Sequence, residues 1–256
     1  MQIGGKMKGI FITGTDTGVG KTLVTGLLGR YLLDKGYDVI TQKWVETGAS
    51  GFSRDVARHL KLMGRKKRDV KDLSEHISPY SFRFPSSPHL AANLEEGRIC
   101  ECKIKESFKF LSKKFDRVLV EGAGGALVPY KKDRFLIDIA KDLNLPVLIV
   151  AGNKLGAINH TLMTVESLRK RGLHIRGIVF NSIDIGANRN IIHDNIDTIK
   201  RFSGVGNTAL LSFLPGGRPR KKDIDIFDDI FRFRYLPEFT PANAGGKTGM
   251  TWISYE

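Results

Sequence analysis

Lys21 and Thr22 follow a glycine-rich turn, Gly14–Gly20, and that turn follows an apolar run, Ile10-Phe11-Ile12. The order strand, glycine-rich turn, Gly-Lys-Thr and helix is a phosphate-binding pattern. Its backbone N–H groups and the positive end of the following helix attract phosphate oxygens. Lys21 supplies a point charge for the outer phosphates, and Thr22 a hydroxyl for Mg²⁺. The spacing departs from the usual pattern, which calls for glycine at position 15; Thr15 stands there, and the glycine is one residue earlier at Gly14. A second Gly-Lys-Thr, Gly246–Thr248, follows no apolar strand and opens no helical pattern, so it reads as loop.

Three further positions carry matching chemistry. Glu121 ends a continuously apolar strand, Arg117–Glu121, and is followed by Gly122-Ala123-Gly124-Gly125. A buried strand that delivers a carboxylate beside a phosphate loop suits a Mg²⁺ ligand, and the glycines allow backbone to approach a ligand closely. Lys43 and Thr47 lie in the loop after the second strand, at the carboxyl edge where parallel sheets place their ligands. Asp55 lies in the first turn of a helix capped by Ser53, where an acid serves the helix dipole or a metal.

The elements that must hold these residues alternate. Strands are expected at Gly9–Thr13, Asp38–Gln42, Arg117–Glu121, Pro146–Ala151, Ile175–Phe180 and Thr208–Leu214, with helices at Lys21–Asp34, Ser53–Met63, His89–Glu96, Ile104–Lys114, Asp138–Leu143 and around Leu162–Arg169. This predicts an α/β fold of the P-loop NTPase kind, a mostly parallel sheet with helices on both faces, as a single domain over residues 1–256 with a divergent segment from 218. Lys61–Lys71 reads as a basic surface loop. Ser78–His89 holds three prolines in twelve residues, which excludes a regular helix or a central strand. His89 in that loop reads as a structural hydrogen-bonder.

Composition narrows the function classes. No apolar run approaches the ~20 residues of a membrane span, and the first residues carry no signal-like apolar region, so a cytoplasmic protein is expected. Cys100 and Cys102 have no second pair to complete a zinc site, and a disulfide between them is not expected in a reducing compartment. They read as part of a surface helix or its approach. The formal charge of +14 comes from scattered clusters without interleaved aromatic residues. That favours anionic small molecules over nucleic acid.

Together these segments resemble the dethiobiotin synthetase family over roughly positions 9–215. That family's phosphate loop reads Gly-Thr-Asp-Thr-x-Val-Gly-Lys-Thr, and Gly14–Thr22 matches it, including the shifted glycine. Pro79-Tyr80, Phe82, Ser87-Pro88-His89 and Glu96-Gly97 are similar to its proline-rich segment. Glu121–Gly125 and Lys154–His160 match two further motifs, and Asn181 falls where the family carries an adenine-reading Asn. Trp44 departs from the family, which usually has proline there; the change relaxes φ and adds bulk. Ser212-Phe213-Leu214-Pro215 replaces the family's Gly-x-Ile-Pro, and the tail after Arg218 matches nothing recognisable.

The resemblance implies an enzyme that uses ATP and CO₂ (or bicarbonate) to close the ureido ring of 7,8-diaminopelargonic acid, through a carbamate and a carbamic-phosphoric anhydride. It implies ATP contacts from Gly14, Thr15, Asp16, Gly18, Val19, Gly20, Lys21, Thr22, Asp55, Glu121, Gly122, Ala123, Gly124, Asn181, Ser182 and Pro215. Mg²⁺ would be held by Thr22, Asp55 and Glu121, and catalysis would rest on Lys21, Lys43 and Thr17. Substrate contacts are expected from Thr17, Lys43 and Thr47, and from Leu155, Gly156, Ile158 and Asn159 of the neighbouring subunit in a homodimer. A switch ATPase of the chromosome-partitioning kind is the alternative; those proteins carry a second lysine where this chain has Thr15, and lack a loop like Lys43–Gly48. A binding protein that keeps the fold without turnover is a third reading, motivated by Trp44 and the tail.

Overall fold

The computed structural model describes residues 8–182, 188–214 and 219–231. Pro215, the second Gly-Lys-Thr and the chain from 232 onward lie outside them.

Strand β1 (Gly9–Gly14) passes through the glycine-rich turn into α1 (Lys21–Asp34), and β2 (Val39–Lys43) completes the first crossover. A short β3 (Val45–Thr47) precedes α2 (Arg54–Met63), a 3₁₀ segment at Lys67–Leu73 and α3 (Ser74–Ile77). Next come β4 (Tyr80–Phe82), α4 (Pro88–Leu94), α5 (Glu101–Lys114) and the long β5 (Arg117–Gly125). A hairpin of β6 (Pro129–Lys131) and β7 (Arg134–Phe135) leads to α6 (Leu136–Asp142) and β8 (Val147–Gly152). The chain continues through α7 (Ala157–Lys170), β9 (Ile175–Asn181), α8 (Arg189–Ser203), β10 (Thr208–Leu211) and α9 (Lys221–Asp225).

Six of these strands form one sheet in the order β10-β9-β8-β1-β5-β2, with every pairing parallel. They are the six strands that the apolar runs predicted. Successive residues face opposite sides, as the strand period requires. Phe11, Val118, Val120 and Ile149 join the core on one face; Ile10, Ile12, Leu119 and Leu148 join the core on the other. Helix α1 covers the second face through Val24, Leu27, Leu28 and Leu32, and α5 covers the first through Ile104, Phe108 and Leu111. The strand order reverses around β1 and β5, so the crevice for a ligand opens at their carboxyl ends.

Helices α1 and α2 pack closely because two glycines of α1 leave room. A Cβ on Gly26 would meet Leu62 at 2.5 Å, and one on Gly29 would meet Met63 at 2.7 Å. That approach brings the start of α2, with Asp55, over the start of α1, with Thr22.

Several local expectations change. Cys100 and Cys102 are joined by a disulfide, Cα atoms 5.4 Å apart, where none was expected. With Cys100 at the N-cap of α5 and Cys102 in its first turn, the two-residue separation brings the sulfurs together without any long-range rearrangement. The basic stretch 61–71 is not all loop: it ends α2 and then forms the 3₁₀ segment. Helix α8 and the β6–β7 hairpin had not been foreseen, and part of the divergent tail is ordered as α9, with Phe227, Ile230 and Phe231 buried in the core beside Tyr31. His89 leaves its buried Nδ1 without a hydrogen-bond partner. Among the described residues no helix is long and apolar enough to cross a membrane.

Candidate active site

The phosphate turn begins where β1 ends and closes on α1. Gly18 and Gly20 have φ of 76° and 97°, a left-handed backbone that suits glycine. Gly20 is the N-cap of α1, and no side chain caps this helix end. Its first amides therefore remain for an anion. Lys21 is buried and donates to the carbonyl of Asp16 at 3.0 Å, folding back over the turn. Burial, and then the neighbouring Lys43, push its ammonium down to about 8.

Four side chains from four elements meet beyond the turn. Lys43, at the end of β2, sits 2.8 Å from Asp55 Oδ2 and 2.8 Å from Glu121 Oε1, and donates to the carbonyl of Gly122 at 2.9 Å. Thr22 Oγ1 lies 3.1 Å from Asp55 Oδ1 and 3.1 Å from Glu121 Oε1. Burial disfavours the charged forms of Lys43 and Glu121, yet their mutual attraction outweighs it. Lys43 is raised above the ordinary lysine value with help from Asp55, and Glu121 is held well below the carboxylate range with help from His59. Lys43 and Glu121 therefore stand as a buried ion pair.

These groups line a cleft of about 600 Å³. Thr17, Gly18, Gly20, Lys21, Thr22, Lys43, Thr47, Asp55 and Glu121 border it, as do Ala123, Gly124, Asn181 and Ser182 on the far side. Gly14, Thr15, Asp16 and Val19 form the turn itself, with the Thr17 amide donating to Asp16 Oδ1 at 2.6 Å. Gly122 touches the cleft through its carbonyl on Lys43. Leu155, Gly156, Ile158 and Asn159 stand apart, around the N-terminus of α7; Leu155 is 86 % exposed and reaches no residue of this cleft.

Two carboxylates and a hydroxyl converge, all hard oxygens, which suits Mg²⁺; that ion takes its remaining ligands from phosphates and water. Among the described residues no group of three or more His, Cys, Asp or Glu would cage a metal alone.

Two residues not anticipated as functional hold this geometry. Glu46 of β3 accepts from Ser53 Oγ and from the Arg54 amide at 2.9 Å, anchoring the first turn of α2 and hence Asp55. His59, fully buried on α2, places Nε2 2.7 Å from Glu121 Oε2. Its helical offset of four from Asp55 was the available signal. Trp44 turns inward rather than into the cleft. It is fully buried with its ring centroid 5.1 Å from that of Phe11, and its indole N–H donates to Gln42 Oε1 at 2.9 Å. The bulk that replaces proline is absorbed by the core, and Lys43 keeps its place.

Comparison with known proteins places these features in context. A family profile described as "AAA domain" matches residues 8–216. The chain is 45 % identical over 177 residues to the ATP-dependent dethiobiotin synthetase BioD of Chlorobaculum tepidum, covering 68 % of this chain and 74 % of that protein. It is 41 % identical to BioD 2 of Haemophilus influenzae, covering 68 % and 91 %. It is 36 % identical to BioD of Clostridium perfringens, covering 86 % and 94 %. Among solved structures it resembles the MinC:MinD cell division protein complex of Aquifex aeolicus, with TM-score 0.56, 16 % identity, and 96 % and 100 % of the two chains covered. The Cyanothece McdA(D38A)–ATP complex superposes with TM-score 0.53 at 18 % identity, covering 90 % and 96 %. At those identities the structures show the fold alone.

Proposed function

This chain belongs to the ATP-dependent dethiobiotin synthetase family, and from that membership we propose how its own residues divide the work of the synthesis. It is a ligase of biotin biosynthesis that consumes ATP and takes a diaminopelargonic acid substrate. The carbon source in this reading is CO₂, captured by one substrate amine as a carbamate. An anionic carbamate and the γ-phosphate repel each other, and the task of the cleft is to cancel that repulsion while aligning them.

Lys21 and Lys43 carry that task. Lys21 lies over the phosphate turn, and Lys43 lies between the turn and the Thr47 side of the cleft, where the diamine would sit with Thr17. Lys43 is already desolvated and ionised, so its charge needs little reorganisation when the phosphoryl group moves. The carbamate oxygen attacks the γ-phosphorus, ADP leaves, and the second amine attacks the carbamoyl carbon of the mixed anhydride. Phosphate departs as the ring closes. Thr22, Asp55 and Glu121 would hold Mg²⁺, which supplies charge neutralisation across the phosphate oxygens. The Leu155–Asn159 segment does not line this cleft; in this reading it closes the partner's cleft in a cytoplasmic homodimer.

The observation that carries the reading is the meeting of Lys43, Asp55, Glu121 and Thr22 at the mouth of the phosphate turn. The test is to incubate the protein with ATP, Mg²⁺, bicarbonate and 7,8-diaminopelargonic acid and to follow dethiobiotin by mass. Nucleotide binding without product would defeat it. A switch-ATPase reading has only distant fold likeness behind it, while relatives at 36–45 % identity are synthetases.

A further inference from the structure

His59 is a core residue by position and a polar one by chemistry. It lies on the buried face of α2 with Val56, Leu60 and Met63, and is fully inaccessible. An apolar side chain would fill such a place without desolvating two ring nitrogens. One of them, Nδ1, has no hydrogen-bond partner. The other lies 2.7 Å from Glu121 Oε2. An ionised carboxylate only accepts, so Nε2 carries a proton and donates, while Nδ1 stays without a partner. The ring's polar chemistry is therefore directed at a single atom.

That atom is the half of Glu121 the cleft does not use. Its other oxygen, Oε1, faces Lys43 at 2.8 Å and Thr22 at 3.1 Å. A glutamate carboxylate can rotate about its last bond, exchanging its two oxygens or offering both. With Oε2 fixed from behind, only Oε1 is presented to the cleft. Asp55 lies one helical turn before His59, so α2 contributes both the second carboxylate and the group that orients the first.

We propose that His59 is a positioning residue which locks the Glu121 carboxylate so that Oε1 alone faces the metal position beside Thr22 and Asp55. The inference rests on the reading of Glu121 as a metal ligand. Partners behind a ligand hold it in its binding orientation, and their loss weakens metal binding rather than nucleotide binding as such.

The test measures Mn²⁺ affinity by electron paramagnetic resonance in the presence of ADP, and ADP affinity in EDTA by calorimetry. For His59→Phe, a fall in Mn²⁺ affinity of about 10–100-fold is expected, the usual scale for losing such a partner, with metal-free ADP affinity within about twofold of wild type. His59→Gln, whose amide nitrogen reaches about where Nε2 lies, should recover most of the loss. Wild-type Mn²⁺ affinity in His59→Phe, or a His59→Gln no better than the Phe variant, overturns the proposal. Glu121→Gln is the control for the underlying reading: if it keeps wild-type Mn²⁺ affinity, the assignment of Glu121 as ligand falls instead. Should His59→Phe not fold, the ¹⁵N-labelled wild type decides. A protected Nε2–H resonance that shifts with Mg²⁺ and ADP, and not with ADP in EDTA, supports the proposal; its absence overturns it.

Discussion

The side-chain amide of Asn181 donates to the carbonyl oxygen of Val19 at 2.9 Å, across 162 residues of sequence. The end of β9 is thereby fastened to the phosphate turn, so the Asn expected to read adenine also braces the backbone that would hold phosphate. Replacing it with Ala removes both. We expect Asn181→Ala to weaken ATP binding by about 10–100-fold, the scale of leaving a buried acceptor unpaired, and to narrow the preference for ATP over GTP. Calorimetry with the two nucleotides measures this; an unchanged ATP affinity would show that the bond is incidental.

The same contact makes Gly20 intolerant of any side chain. Its φ is 97°, and a Cβ there would lie 2.1 Å from Asn181 Nδ2. Gly20→Ala should therefore push Asn181 off Val19 as well as strain the turn, and abolish measurable ATP binding. Gly36→Ala, also at positive φ but with open space around it, is the comparison: it should lower the melting temperature slightly and leave nucleotide affinity unchanged.

Lys43→Ala should act twice. Turnover is expected to fall at least ~100-fold, as for removal of one preorganised charge contact. The buried Glu121 also loses its cation, and breaking a buried pair costs about 3–5 kcal/mol. Urea unfolding of the ligand-free protein and steady-state rates read these separately. Normal stability with lost turnover would mean that Glu121 finds another counter-charge.

Lys21 ties nucleotide binding to pH. In the free protein its ammonium is lowered to about 8, by burial and then by Lys43. Phosphate favours the charged form, so the bound pKa is higher than the free one. Below pH 8 the lysine is already protonated and binding takes up no proton. Above pH 8 each complex must acquire one, and the apparent Kd of ATP should rise about tenfold per pH unit. Calorimetry at pH 9 in buffers of different ionisation enthalpy measures the uptake directly; none at all would contradict this account of Lys21.

Much of the scaffold was legible because parallel strands are buried on both faces and so read as unbroken apolar runs. PVLIVA at 146–151 and the run from Val118 to Val120 could scarcely be anything else. Helix α8 had a signal that went unread: Asn188 caps it, and Ile192, Ile196 and Ile199 keep helical spacing. One of its buried contacts is polar, Asn195 donating to Asn153 at 2.9 Å, which thins the apolar pattern. Within the cleft, Lys21, Thr22, Lys43 and Asp55 could be named because each sits at an element's end, and Glu121 because it ends the apolar part of β5. Glu46 gave no such signal and His59 only its offset of four from Asp55, since their roles arise when β3 and β5 are brought against α2. The cysteine pair misled for a different reason: an expectation about compartment was allowed to outweigh a spacing that permits bonding.

Trp44, sealed against Phe11 and next in sequence to Lys43, has a consequence for anyone who wants to watch this cleft at work. The chain has two tryptophans, and this one is fully shielded from water. Its emission should lie at the blue end of the indole range and resist quenching by iodide. Its indole N–H is bonded to Gln42, which in turn donates to the backbone of His76 at 2.7 Å, so any shift of the Lys43 strand on ligand binding would alter the field around the ring. The residue that stands in for a proline thus gives the protein a native optical reporter, one that needs no label and can be followed on the stopped-flow timescale.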